Sequence, residues 1–235
     1  MQRRRFMGNC SGALLCSALA SPAAGEVTAS TPKLYQRVRL LDEKGAALRA
    51  SQVAARRNLV FSYPYAATPA FLLNLAREAA PTGRLADSSG NAYQWPGGVG
   101  PGRSIVAFSA ICAHQLAYPA REISFISFRE KAGGANQRGE VIHCCAEHSQ
   151  YDPAAGARVV AGPAPQPLTA IVLDFDPKDD SLTAIGTLGG EVYDAFFAKY
   201  DFKLAMEYNG RQRELVAGET RVQPIEQVCR QQIQC

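Results

Sequence analysis

The sequence predicts a mostly β domain, a small antiparallel barrel or sandwich followed by a short C-terminal helix and a polar tail. Three observations lead there. Short apolar runs rich in β-branched and aromatic residues recur along the chain, each bounded by Gly, Pro, Asp or Asn, and many short strands at such spacing belong to antiparallel sheets. One segment alone carries a clear helical repeat, with Val192, Phe196, Tyr200 and Leu204 at every fourth residue. The 235 residues are enough for one domain with a sizeable core, and they contain no internal repeat.

Taken in order, Met1 to Ala20 reads as a twin-arginine export signal: Arg3-Arg4-Arg5-Phe6-Met7, a weakly apolar run, then Ala18-Leu19-Ala20 as a small-x-small cleavage site. The rival reading is a retained signal anchor. Residues 21–33 form an Ala/Ser/Thr/Pro linker. The main domain is expected over 34–208. Leu34 to Leu41 alternates apolar and polar residues as a strand does. Ala46 to Arg57 is compatible with a helix. Leu59 to Tyr63 is a strand stopped by Pro64. Phe71 to Leu75 and Tyr93 to Trp95 are short apolar runs, separated by a turn at Asp87 to Asn91. Ile105 to Ile111 is a strand, as is Glu122 to Phe128. Lys131 to Gly139 is the tip of a hairpin, and Val141-Ile142 leads back. Val159 to Ala161, Ile171 to Phe175 and Ser181 to Ile185 complete the strands, the last two joined by a turn at Asp176 to Asp180. Residues 209–235 turn polar and read as a surface extension.

Two chemically paired segments stand out, Cys112-Ala-His114 and Cys145-Ala-Glu-His148. Each sits where a predicted strand ends in a loop. A thiolate neutralises ferric charge, and a neutral imidazole leaves a cluster less negative and easier to reduce, so a mixed set suits a redox-active iron–sulfur centre. The same four side chains would also satisfy tetrahedral zinc.

With the downstream Gly162-Pro163-Ala164-Pro165, these pairs resemble the Rieske iron–sulfur proteins over roughly residues 35–190. Gly98-Val99-Gly100-Pro101, Ile105 to Ser109 and Tyr63-Pro64-Tyr65 look most like the small subunit of arsenite oxidases. The resemblance implies one Rieske-type [2Fe–2S] cluster held by thiolates of Cys112 and Cys145 and imidazoles of His114 and His148. Gly162 to Pro165 would cover the cluster, and the hydroxyls of Ser149 and Tyr151 would bond its sulfurs. It implies an electron-transfer subunit of a periplasmic molybdenum oxidoreductase. That subunit would take electrons from a large redox subunit and pass them to a cytochrome c or cupredoxin. The alternatives are the Rieske subunit of a cytochrome bc complex, partnered by cytochrome b, and a zinc-stabilised binding module without redox function.

The chain departs from that pattern. The positions that carry a loop-to-loop disulfide in high-potential relatives hold Ala117 and Glu147, and a lower potential is expected. The glycine usual after the second ligand is missing before Ser149. Cys144 reads as a buried free thiol and His143 as a surface or partly buried histidine. Cys229 and Cys235 either pair with each other or remain free. The aromatic run Tyr193, Phe196, Phe197, Tyr200 reads as core.

The formal net charge of +4, three units of it from Arg3, Arg4 and Arg5, argues against a nucleic-acid partner. After the N-terminal stretch no uncharged apolar run reaches the roughly 18 residues that a membrane span needs, so membrane attachment rests on a retained N-terminus. No catalytic acid, base or nucleophile is recognisable.

Overall fold

The computed structural model describes residues 31–133 and 138–235. The export signal, most of the linker and the tip of the 131–139 hairpin lie outside the described residues. The strands are β1 (Lys33–Leu41), β2 (Leu59–Ser62), β3 (Pro69–Asn74), β4 (Arg84–Ala86), β5 (Ala92–Gln94), β6 (Ile105–Ser109), β7 (Ile123–Ser124), β8 (Ile126–Arg129), β9 (Val141–Cys144), β10 (Ser149–Asp152), β11 (Arg158–Ala161), β12 (Ala170–Asp176) and β13 (Ser181–Leu188). Helix α1 (Tyr193–Glu207) follows, then β14 (Gly218–Arg221), β15 (Gln223–Pro224), the single-turn α2 (Ile225–Val228) and β16 (Gln231–Gln232). The chain is mostly β, as its strand pattern predicts.

The large sheet runs β14-β1-β13-β12-β6-β3-β2-β15, and a smaller one β11-β10-β9-β8. The large sheet curls until its edges meet. Residues 218–224 stitch the two ends together, β14 pairing in parallel with β1 and β15 pairing antiparallel with β2. Across the seam the Thr220 hydroxyl donates to the Ser62 carbonyl at 3.2 Å. Closure removes the two longest unpaired edges the sheet would otherwise present.

Both faces of this sheet are buried, and strand alternation assigns them. Ala70, Leu72, Ile105 and Ala107 point into the curled interior with Leu40, Phe61 and Leu182. Phe71, Leu73, Val106 and Phe108 point outward against Ile126, Phe128, Ile142 and Tyr151 of the small sheet. The small sheet therefore rides on the large one over a shared apolar layer, and that layer carries the sulfurs discussed below.

Three expectations change. Ala46 to Arg57 is not a helix. It holds only a 3-10 turn at Ala50–Gln52, because the Ala50 N–H is taken by the Asp180 carbonyl at 2.7 Å and Leu48, Ala50 and Val53 are drawn into the core. The strand expected over Glu122 to Phe128 breaks at Phe125, where β7 turns to pair with β16 and β8 with β9. The polar extension is more than a surface tail: it supplies β14, β15 and β16 and buries Val222, Ile225 and Cys229. The helical repeat near the end of the domain is α1, with Tyr193, Phe196, Phe197 and Leu204 buried as core.

Candidate metal centre

Strand β6 delivers the first loop. After Ser109 the chain turns through Cys112 to Ala117, closed by the Cys112 N–H donating to the Ala117 carbonyl at 2.9 Å and the Leu116 N–H to the Cys112 carbonyl at 3.0 Å. Helix α1 backs this loop. Tyr118 packs edge-on against Phe196 with ring centroids 5.0 Å apart, and Lys199 Nζ donates to the Gln115 carbonyl at 2.7 Å. The second loop is the tight connection between β9 and β10. Cys144 pairs with Ser149, leaving residues 145–148 as the turn, and His148 takes the left-handed φ of 58° at its end.

Strand parity decides which second-loop sulfur faces the first loop. Ile142 and Cys144 point to the apolar layer; His143 points the other way. Cys144 Sγ accordingly faces Cys112 Sγ, near enough for each thiol to set the other's acidity, and both are fully buried free thiols. The hydroxyl of the fully buried Tyr151 stands 3.3 Å from Cys112 Sγ and accepts from the Ala113 N–H at 3.2 Å.

Nearby backbone N–H groups, of His114 and Gln115 for Cys112 and of Ala146 and Glu147 for Cys144, favour each thiolate. The contact with Cys144 is the largest influence on Cys112 and pulls its thiol down to about 6, against burial and with help from Tyr151 and those amides. The same contact, then burial, pushes Cys144 up. One proton leaves easily and the second is held, the behaviour of a pair sharing a site. Burial first, then the charge on Cys112, raises the Tyr151 phenol, which keeps its proton and stays a donor.

Two polar atoms beside this pair are buried without a hydrogen-bond partner among the described residues: His114 Nδ1 and Ser149 Oγ. One is a buried imidazole nitrogen two residues from one thiol, the other a hydroxyl paired across the strand with the second thiol, and both are open to a bound group. Orphaned buried polar atoms are costly unless a ligand or ion satisfies them. Gly162 lies against the same turn. Its φ is +85°, and a Cβ there would stand 2.5 Å from Ser149 Cα. Ala164 packs into the layer holding both thiols, while Pro163 and Pro165 stay exposed.

The structure does not bring the four expected ligands to one point. Cys112 and His114 share the first loop as expected, with Ser149 and Tyr151 beside them. Cys145 instead forms a disulfide with Cys235, 90 residues away in sequence. His148 lies against His143, ring centroids 5.9 Å apart, and His143, His148 and Cys235 bring their donor atoms within 4.8 Å of one another on the opposite face of the small sheet. His143 is buried rather than superficial. Cys229 does not pair with Cys235; it is a buried free thiol whose Sγ lies 3.1 Å from the Gln231 carbonyl. The pairing of β16 with β7 carries the chain past Cys229 and brings Cys235 to the β9–β10 turn. Cys144 is the buried free thiol that the sequence predicts; spacing alone did not show that its sulfur faces Cys112. The signal that finds it is parity: Cys144, not Cys145, shares a face with Ile142.

Fold and site together define a mostly β protein with a buried thiol pair and adjacent imidazole suited to a thiophilic metal or iron–sulfur group. No family model matches the chain. Among solved structures it is similar to the soluble domain of the Rieske protein II (soxF) from Sulfolobus acidocaldarius, at 28% identity and a TM-score of 0.47, over 65% of this chain and 78% of that one.

Proposed function

We propose that the chain is an iron–sulfur electron carrier of Rieske type, with Cys112 and Cys144 as the thiolates and His114 as the imidazole. The fourth ligand comes from the β9–β10 turn. Three residues beyond Cys144, the spacing His148 has from Cys145, stands Glu147, and in this reading its carboxylate is the fourth ligand in place of the imidazole of His148. The single observation that carries the reading is the buried, unoxidised Cys112–Cys144 pair with His114 Nδ1 and Ser149 Oγ unpartnered beside it.

A bound [2Fe–2S] cluster supplies a one-electron couple. The protein's part is to hold and tune it. Backbone amides and the Tyr151 hydroxyl donate to the thiolates, which favours the reduced, more negative state. The apolar layer of Ile126, Phe128 and Ile142 keeps water from the sulfurs. His114 is half-buried, so its ring edge is the exit toward a partner. In this reading the chain takes electrons from a large redox subunit, a molybdenum enzyme of arsenite-oxidase type. It passes them in the periplasm to a cytochrome c or cupredoxin. The sequence resemblance and the twin-arginine start support that placement.

Iron and acid-labile sulfide analysis of two variants tests the thiolate ligands. Cys144→Ser is expected to lose the cluster and Cys145→Ser to keep it; the opposite result restores the spacing-based assignment. With a carboxylate in place of an imidazole the potential should lie below about −150 mV, the lower end for two-imidazole centres. Glu147→His should raise it. Voltammetry that finds the wild type well above that value removes Glu147 from the ligand set.

A further inference from the structure

The far face of the β9–β10 hairpin carries a second donor cluster that the iron–sulfur reading does not use. His143 and His148 come from the hairpin and Cys235 from the chain end, with donor atoms within 4.8 Å of one another. Cys145 is bonded to Cys235, so its sulfur is at the same point. Both ring nitrogens of buried His143 lie 3.6 and 3.7 Å from Cys235 Sγ. In a tetrahedral zinc site, bonds of about 2.0 Å to nitrogen and 2.3 Å to sulfur put those atoms roughly 3.5 Å apart. The separation is therefore already a coordination spacing. As a hydrogen bond it is poor, because a disulfide sulfur has no proton to give and accepts weakly. Arg129 Nη2 stands 3.8 Å from Cys145 Sγ, where a guanidinium favours a thiolate.

We propose that Cys145 and Cys235 are a dithiol/disulfide pair whose reduced form, with His143 and His148, is an S2N2 site for a soft divalent cation such as Zn2+. Reduction needs a two-electron thiol reductant. Two reductant thiols give up two electrons and two protons and become a disulfide; the Cys145–Cys235 bond breaks and each sulfur gains a proton. Metal binding then releases those two protons, and the two thiolates neutralise the dication. Two thiolates and two imidazoles in tetrahedral array are a donor set zinc selects. Either state fastens the segment after Cys229 to the turn next to Cys144, through a covalent bond when oxidised and through the metal when reduced. The proposal goes beyond the iron–sulfur reading and does not depend on it, since strand parity puts the two donor sets on opposite faces.

The test uses the full chain purified with its cluster. One sample is oxidised; another is reduced anaerobically with a dithiol and freed of it by desalting. Both are titrated with Zn2+ against a chromophoric chelator, alongside H148A and C235S, and visible circular dichroism of the cluster is recorded throughout. The reduced wild type is expected to bind one more equivalent of Zn2+ than the oxidised protein, and both variants to lose that equivalent. Equal stoichiometry in the two redox states overturns the proposal, as does an extra equivalent that survives in both variants. If H148A loses the cluster signal, His148 belongs to the iron–sulfur centre, and this proposal falls while the electron-carrier reading stands. If the wild type carries no cluster yet shows the redox-dependent equivalent, the reverse holds.

Discussion

Cys144 and Cys145 are neighbours in sequence with opposite fates. One faces a buried thiol because the pleat of β9 turns it to the apolar layer, and the other, in the turn, closes a disulfide with the chain end that β16 brings to it. The hydroxyl of Tyr151 contributes at the same scale. Its 3.3 Å contact with Cys112 Sγ is one donor among several on a charged sulfur. Tyr151→Phe should lower the potential by roughly 40–60 mV, the one-electron equivalent of a hydrogen bond worth about 1–1.5 kcal/mol; an unchanged voltammogram would show that the hydroxyl does not tune the centre. His143 gives a pH prediction. Burial, then His148, then Arg129 hold its pKa below the ordinary 6.5. The unfolded chain therefore takes up a proton near that pH while the folded one does not. Stability is full above it and falls as the pH drops from 6.5 toward the folded value. Urea unfolding of the oxidised, metal-free protein should show this acid loss, and His143→Gln should reduce it.

At the level of elements, the β9–β10 hairpin organises the site because its two strands and its turn each carry a different job. The strands aim Cys144, Ser149 and Tyr151 at the apolar layer, and the turn between them carries Glu147 and His148. Its tightness is checked by Gly162 of the loop after β11. That glycine combines φ +85° with backbone contacts that leave no room for a side chain. Gly162→Ala is expected to destabilise the protein by roughly 1–3 kcal/mol, seen as a lower denaturant midpoint with a similar slope. A neutral substitution would mean that the loop is not seated on the turn. Helix α1 supports the other loop in the same manner: Tyr118 is wedged against Phe196 and Tyr200, and the chain from Cys112 onward is held from behind.

For the whole molecule, the last stretch of chain ties together sheets that already share an apolar layer. Residues 218–224 close the large sheet, β16 pairs with β7, and Cys235 reaches the small sheet through Cys145. A crosslink between residues 90 apart restrains the unfolded chain strongly. Opening it should cost roughly 2–4 kcal/mol. Urea unfolding of oxidised against reduced protein, both with a strong chelator present, measures the difference; coincident curves would mean that noncovalent pairing of the tail suffices.

Local chemistry was enough for much of this. Alternation in Leu34 to Leu41, the β-branched run from Ile105 and the fourfold spacing from Val192 to Leu204 specify strands and a helix through side-chain period alone, so the mostly β class was legible. So was the loop that carries Cys112 and His114, because the strand before it is unambiguous. The partner sulfur was not legible from spacing, because Cys144 and Cys145 are both one short step from a histidine and only pairing with Ser149 tells inside from outside. The helical reading of Ala46 to Arg57 failed because the Asp180 carbonyl, distant in sequence, captures its backbone. The role of residues 209–235 depended on where two sheet edges meet, which is a property of the closed fold and of no local segment. Period-two and period-four patterns determine what each element is; which faces and sulfurs meet is decided by pairings between residues far apart in the chain.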